Sequence, residues 1–248
     1  AGFKKSAQQA DVYGSLGSIY RSMDKLTLAE SNLLTAVRLD PNSTVLRAWL
    51  IEVLQWQGNH KSGDEFINEG IALGLWERAD QITSSPVVPN LTATPWPDIS
   101  QYPKLAAALH GIEANTDAIW RDAQALLLLP GSDGLSFGTM EDLAIPDGTI
   151  GGGWHTKQLD CWQSPEEAAE TCATVARANS SSAPIFSAQF LRLEPGRTIR
   201  PHCGPTNRRW VAHLGLDVPD NVSITVGGET RNWIRGKFIV FQDSFRHS

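Results

Sequence analysis

Arg200-Pro201-His202-Cys203-Gly204-Pro205-Thr206-Asn207 and Gln242-Asp243-Ser244-Phe245-Arg246-His247 are the two most informative stretches of this 248-residue chain. Each carries a histidine at the edge of a predicted strand, and the two histidines lie 45 residues apart. A β-barrel can build a metal site in this way, from two distant parts of the chain. Non-haem iron(II) sites of this kind use two histidines and one carboxylate on one face of the metal, in the spacing His-X-Asp/Glu followed by a distant His. Here the carboxylate position holds Gly204. The ligands available are therefore His202 and His247, with water in the third place.

The neighbouring sequence reads as short strands. Trp154–Trp162, Ile185–Leu193, Trp210–Leu216, Val222–Val226, Thr230–Ile234 and Phe238–Phe241 are predicted strands. Pro195-Gly196 and Gly227-Gly228 mark turns, the second a hairpin. Near-regular spacing suggests a sandwich or barrel, and a jelly roll fits. Ser164-Pro165-Glu166-Glu167 has the pattern of a capping box and opens a predicted helix to about Ala178.

The first part of the chain is different. Tyr13, Leu16, Gly17, Tyr20, Ala29, Leu33, Ala36 and Pro41 fall on the spacing of a 34-residue tetratricopeptide repeat. Gly17 and Ala29 let two helices approach, and Pro41 ends the pair. A second, degenerate repeat follows as Val45–Gln57, a Gly58-Asn59 turn and Ser62–Leu73. Ser84 to Pro97 reads as an irregular linker, Tyr102–His110 and Asn115–Leu128 as helices, and the Gly-rich Pro130 to Gly153 as loops. The expected organisation is α+β: tetratricopeptide-like helical repeats over 1–83, a linker over 84–100, and a jelly-roll domain with leading helices over 101–248.

Composition bounds the function. Net charge is −6 and no basic stripe occurs, which disfavours nucleic acid as a partner. No apolar run approaches the ~20 residues that span a bilayer. Both ends look cut, so the chain is expected to be a fragment of a longer protein, with any anchor outside it. Of three cysteines, Cys161 and Cys172 either form a bridge or stay as free core thiols. Cys203 is either a soft metal ligand or a thiol packed away from the metal. Four Asn-X-Ser/Thr sequons, at Asn42, Asn90, Asn179 and Asn221, hint at a secretory lumen.

The wider sequence resembles the aspartyl/asparaginyl β-hydroxylase family. The matching residues are Pro195-Gly196, Pro201-His202, Gly204-Pro205-Thr206-Asn207, Arg209, His213-Leu214-Gly215-Leu216, Glu229-Thr230, Trp233, Gly236-Lys237 and Asp243-Ser244-Phe245-X-His247. Ala72-Leu73-Gly74-Leu75-Trp76 and Pro95-Trp96 look like the segment that precedes the family's catalytic domain. The family has two histidine ligands and no carboxylate, so the resemblance implies Gly204 as well as His202 and His247.

The resemblance further implies an oxygenase that uses Fe(II), 2-oxoglutarate and O2 to hydroxylate the β-carbon of Asp or Asn in a protein or peptide substrate. His213 then helps bind 2-oxoglutarate, and Arg209 engages the substrate's carboxylate or amide. Val211 stands where the family has an arginine that contacts 2-oxoglutarate, and Leu191 where it has a serine. The family's arginine for the distal carboxylate would lie about ten residues beyond His247. Asp243 either orients a metal-bound water or an imidazole N–H, or caps a turn. Trp162 either lines the cosubstrate pocket or packs in the core. The family setting implies the endoplasmic-reticulum lumen, with the cytoplasm as the alternative. Two other functions remain open: hydroxylation of lipid acyl chains, and an inactive repeat-bearing binding protein.

Overall fold

The computed structural model describes residues 2–127, 138–139, 144–146, 154–180 and 182–248. It opens with four helices: α1 (Gly2–Ser22), α2 (Leu26–Leu39), α3 (Thr44–Trp56) and α4 (His60–Ala72). Local chemistry sets their ends. The Ser43 hydroxyl accepts from Leu46 N and starts α3, and the Asn59 side chain accepts from Ser62 N and starts α4. Gly58 (φ 76°) and Gly74 (φ 73°) take the left-handed conformation that closes α3 and α4. Asp24 (φ 53°) occupies the corresponding place after α1, where glycine is usual.

Consecutive helices pack on one another. Ala29, Leu33 and Ala36 of α2 are buried with Leu46, Leu50, Val53 and Leu54 of α3. A Cβ at Gly17 would come within 2.6 Å of Leu33, so α1 approaches α2 as closely as the small-residue pattern predicted.

Residues 84–97 contain no helix or strand. Nevertheless the stretch from Asp80 to Pro95 is bonded throughout to the two histidine-bearing stretches. Ser85 N donates to Pro205 O (2.9 Å), and Val88 exchanges two hydrogen bonds with the buried Asn207 side chain (3.0 and 2.8 Å). Gln81 Nε2 donates to Ser244 Oγ (2.8 Å), Gln242 N to Pro95 O (3.0 Å), and Arg246 N to Asp80 O (3.0 Å). Buried amides need such partners, and this strap supplies them.

After a 3-10 turn at Ile99–Gln101 come α5 (Pro103–Glu113) and α6 (Thr116–Leu127). The strands are β1 (Gly138–Thr139), β2 (Ala144–Pro146), β3 (Trp154–Leu159), β4 (Ala188–Leu193), β5 (Arg197–Ile199), β6 (Val211–Leu214), β7 (Ser223–Val226), β8 (Glu229–Asn232) and β9 (Phe238–Phe241). All named pairs are antiparallel: β1-β3-β4 form one sheet, and β2-β5, β6-β9 and β7-β8 form two-stranded ones. The described chain is thus α+β. Gly227 and Gly228 both have positive φ, as the tight turn joining β7 to β8 requires.

Two cores flank the strands. Phe190 and Leu159 pack with Ile119, Leu126 and Cys172 against α6 and α7 (Ala169–Ala178). Val226, Ile239, Phe241 and Phe245 form the second, with Val211, Trp96 and Trp233 at its margin.

Three expectations change. The first predicted strand ends at Leu159 rather than Trp162, because Asp160 Oδ1 accepts from Gln163 N and folds the chain into a turn. The helix predicted from Ser164 starts as a 3-10 turn at Pro165–Ala168 with no side-chain cap from Ser164. Strand β5, a three-residue strand that begins directly after the Pro195-Gly196 turn signal, is not among the predicted ones. Of the predicted Gly-rich loop, β1 and β2 are described, and the remaining residues lie outside the described set.

Cys161 and Cys172 form a disulfide, which ties the turn after β3 to α7 across 11 residues. Closing a loop of that length stabilises by ~2–3 kcal/mol. The Cys161→Ser/Cys172→Ser protein should lose that much, read as a lower unfolding free energy in urea, with a slope no smaller than that of the wild type because its unfolded chain is less constrained. Among the described residues no helix is long and apolar enough to cross a membrane.

Candidate metal centre

His202 and His247 are direct partners in an antiparallel bridge. His202 N donates to His247 O (3.0 Å) and His247 N donates to His202 O (2.8 Å). Directly opposed residues present their side chains on one face. The two imidazole centroids are accordingly 4.2 Å apart.

Each ring is fixed from its own backbone. His202 Nδ1 lies 2.9 Å from Arg200 O, and His247 Nδ1 lies 2.8 Å from Phe245 O. A carbonyl oxygen only accepts, so both Nδ1 atoms carry the proton. Both Nε2 atoms then hold a free lone pair, the form in which imidazole binds a metal. Burial, followed by the neighbouring His247, lowers the pKa of His202 to about 3. Burial also lowers that of His247. Both rings are therefore neutral at physiological pH and ready to ligate.

The absence of a carboxylate at position 204 has a steric reason. A Cβ on Gly204 would fall 2.4 Å from Asp243 Oδ2 and 2.5 Å from its Cγ. The backbone is drawn in by Gly204 N, which donates to Asp243 O at 2.6 Å. Asp243 thus fills the space where a side chain at 204 would begin. Its Oδ2 accepts from Arg209 Nη2 (2.7 Å) and Nε (3.3 Å). Among the described residues its Oδ1 is buried without a partner, and the residue is only 6% exposed. A buried carboxylate oxygen in this state is an acceptor awaiting a donor such as water. Among the described residues no group of three or more His, Cys, Asp or Glu side chains could hold a metal. The two imidazoles are the pair that could hold a metal here.

His213 belongs to the same neighbourhood. It stacks on Trp233 (6.1 Å, 10°) and meets the edge of Phe241 (5.0 Å), which in turn touches His247 (5.6 Å). Burial and then His247 lower its pKa to about 4, so it too is neutral. Val211 is two residues before it on β6, opposite Phe241, and so lies on the same face. Leu191 pairs with Thr156 and Leu193 with Trp154, whose ring is 6.4 Å from His202; this face of β3-β4 is the one turned to the histidines.

Trp162 is not joined to this group by a bond or ring contact among the described residues. It is 55% exposed in the turn beside the disulfide, so the expectation that it packs in the core is corrected. Asp160 turned the chain outward before it. Cys203 packs against Ile51, Ile67, Trp76 and Ile82, and burial raises its thiol to about 12. It faces the helices as an inert thiol.

Sequence reading missed several contributors. The carbonyls of Arg200 and Phe245 carry no sequence signal, because any residue supplies one. The Arg209–Asp243 pair was within reach, since both residues had been singled out separately. Trp154 and Trp56 were missed as neighbours of the His202 stretch, and for Trp56 the spacing Trp49, Glu52, Trp56 on one helix face was the available clue.

Comparison with known proteins assigns the family. The family pattern for aspartyl/asparaginyl beta-hydroxylase matches residues 113–248. The mouse aspartyl/asparaginyl beta-hydroxylase is 32% identical over 171 residues, covering 64% of this chain and 22% of the mouse protein. The aspartate beta-hydroxylase domain-containing protein 2 of Xenopus tropicalis is 48% identical over 56 residues, 23% of this chain and 15% of that protein. The human aspartyl/asparaginyl beta-hydroxylase is 45% identical over 56 residues, 22% of this chain and 7% of its own length. The chain thus spans less than a quarter of the length of each of these relatives. With a pattern match over more than half of its residues, this chain belongs to the aspartyl/asparaginyl beta-hydroxylase family.

Proposed function

We propose that the chain is an Fe(II)- and 2-oxoglutarate-dependent dioxygenase that hydroxylates the β-carbon of Asp or Asn residues in a protein substrate. Family membership supports a hydroxylase. The observation that carries the metal is the pair of Nδ1-to-carbonyl hydrogen bonds, which leaves both Nε2 lone pairs free. When bound, iron with 2-oxoglutarate and O2 supplies the oxidising power that converts C–H to C–OH, releasing succinate and CO2.

The protein's residues then have separable tasks. His202 and His247 hold iron. Asp243 replaces a carboxylate ligand and holds water through its free Oδ1. Arg209 is half-exposed and already aligned by Asp243, so its guanidinium is presented to the substrate's carboxylate or amide. His213, neutral in its aromatic box, donates one hydrogen bond to 2-oxoglutarate, and Val211 gives that pocket an apolar wall. Trp162 plays no part in this proposal.

The finer fold follows the same reading. The four N-terminal helices are two tetratricopeptide-type repeats, supported by the close approach at Gly17 and the burial of Ala29, Leu33 and Ala36. The antiparallel strands form a jelly roll. The helices provide one wall of the groove that takes the substrate. The endoplasmic-reticulum lumen is the proposed location. It is supported by the disulfide and by three sequons, Asn42, Asn90 and Asn221, whose asparagines are exposed. Thiol labelling of the denatured, unreduced native protein should modify Cys203 alone; labelling of all three cysteines would place the protein in a reducing compartment.

Succinate release tests the reaction. Protein supplied with Fe(II), 2-oxoglutarate and Asp- or Asn-bearing peptides should form succinate in step with a peptide mass gain of one oxygen. Succinate that appears only with acyl lipids would reassign the substrate. No substrate-dependent succinate at all would leave a binding protein.

A further inference from the structure

The two histidines belong to the β region, yet one of them is aimed by the N-terminal helices. His202 takes its direction from the Arg200 carbonyl (2.9 Å), so the ring goes where the Arg200–Pro201 backbone goes. That backbone is fixed from outside the strands. The Arg200 guanidinium pairs with Asp24, in the turn between α1 and α2, and lies 5.0 Å over the Trp56 ring of α3. The Trp56 indole N–H donates to the Pro201 carbonyl at 3.0 Å. Beyond His202, Cys203 is packed among Ala48, Ile51 and Ile67. Residues 200, 201 and 203 are thus all held by the helical layer, with His202 between them.

The sequence of the helices bears this out. Trp49, Glu52 and Trp56 recur at the i, i+3 and i+7 positions of α3, one face of the helix. Arg21 of α1 pairs with Glu52 and lies over both tryptophans (5.6 and 5.7 Å). Asp24 has φ 53°, a left-handed position where glycine or asparagine is more comfortable. The residue found there brings a carboxylate to Arg200. His247 is built differently, because its carbonyl partner is Phe245, a core residue of the β region.

We propose that Trp56 and Asp24 are positioning residues for His202, so that the helical layer sets the direction of one of the two imidazoles. This rests on the metal reading only for its effect on affinity. The test uses the full chain in two arms. In the metal-free protein, 15N-edited spectra of the imidazoles report the Nδ1–H of each ring. Trp56→Phe keeps the ring and removes the donor; it should shift the His202 signal and leave that of His247 in place. In the second arm Co(II), added anaerobically, should bind Trp56→Phe about tenfold more weakly, the low end of the 10–100-fold that residues supporting a ligand command. Asp24→Asn suits the left-handed turn but leaves Arg200 without its counter-charge, so it should lower the unfolding midpoint, shift the His202 signal with that of His247 in place, and weaken Co(II) binding. Trp49→Phe, which touches Arg21 but makes no bond to residues 200–203, should match the wild type.

An unmoved His202 signal together with Co(II) affinity within twofold of wild type would overturn the proposal. So would equal losses in Trp49→Phe and Trp56→Phe. Failure of the wild-type chain to bind Co(II) would instead sink the metal reading, while the imidazole spectra still decide the positioning role.

Discussion

Alanine at His202 is expected to abolish stoichiometric iron binding and to reduce turnover at least a thousandfold. Sites with three protein ligands can lose one and keep some metal. Here the described residues offer two imidazoles and no third donor, so one substitution removes half of the protein's ligand set. Folding should survive. The substitution removes a buried neutral ring and leaves the Arg200 carbonyl without its donor, a cost of about 1–3 kcal/mol. The bridge between residues 202 and 247 is backbone to backbone and remains. Iron per chain after anaerobic loading and desalting, read beside the urea midpoint, separates the two effects. His213→Ala is the companion variant: it should keep its iron and require more 2-oxoglutarate. Full iron in His202→Ala would show that the metal lies elsewhere.

The second large effect is expected at Gly204. Adding one methyl group there forces a carbon to within 2.4–2.5 Å of the Asp243 carboxylate and 2.9 Å of its backbone oxygen. Asp243 has little room to recede, since Arg209 holds its side chain and Gly204 N holds its carbonyl. Overpacking of this kind costs about 1–3 kcal/mol, so Gly204→Ala should lower the unfolding midpoint and weaken iron binding. Gly204→Asp, which restores the three-ligand pattern on paper, should be worse, because it adds a second carboxylate against the first. If Gly204→Asp folds like wild type and binds iron more tightly, the space at 204 is open and Asp243 is not its occupant.

The fold was legible where periodicity or turn chemistry spoke. Helices α3 and α4 lie within a few residues of their expected bounds because Ser43, Gly58, Asn59 and Gly74 mark their ends in sequence. Phe238–Phe241 was read without error, a short apolar run between turns. Strand β3 was read too long because Asp160 was not credited with making a turn. In the site, the motifs that carry His202, His247, His213 and Val211 are legible in sequence, and the four residues gather. What stayed hidden was the cause of the glycine. Residues 204 and 243 are far apart in sequence, and only their approach in the fold shows that the Asp243 carboxylate fills the place of a side chain at 204. The dependence of His202 on Trp56 was hidden for the same reason, since it crosses 145 residues.

The strap from Asp80 to Pro95 also bears on how such a protein can be cut or recombined. Secondary structure invites a cut anywhere in this uncoiled stretch. Its hydrogen bonds run to Pro205, Asn207, Gln242, Ser244 and Arg246, so the cut would unpin both histidines at once. A shortened piece that starts at the first following helix would lose these pins along with the four N-terminal helices. A portion exchanged intact between relatives therefore carries the strap from Trp76, whose indole donates to Thr83 O and anchors its near end, together with the helices that hold Arg200 and Pro201.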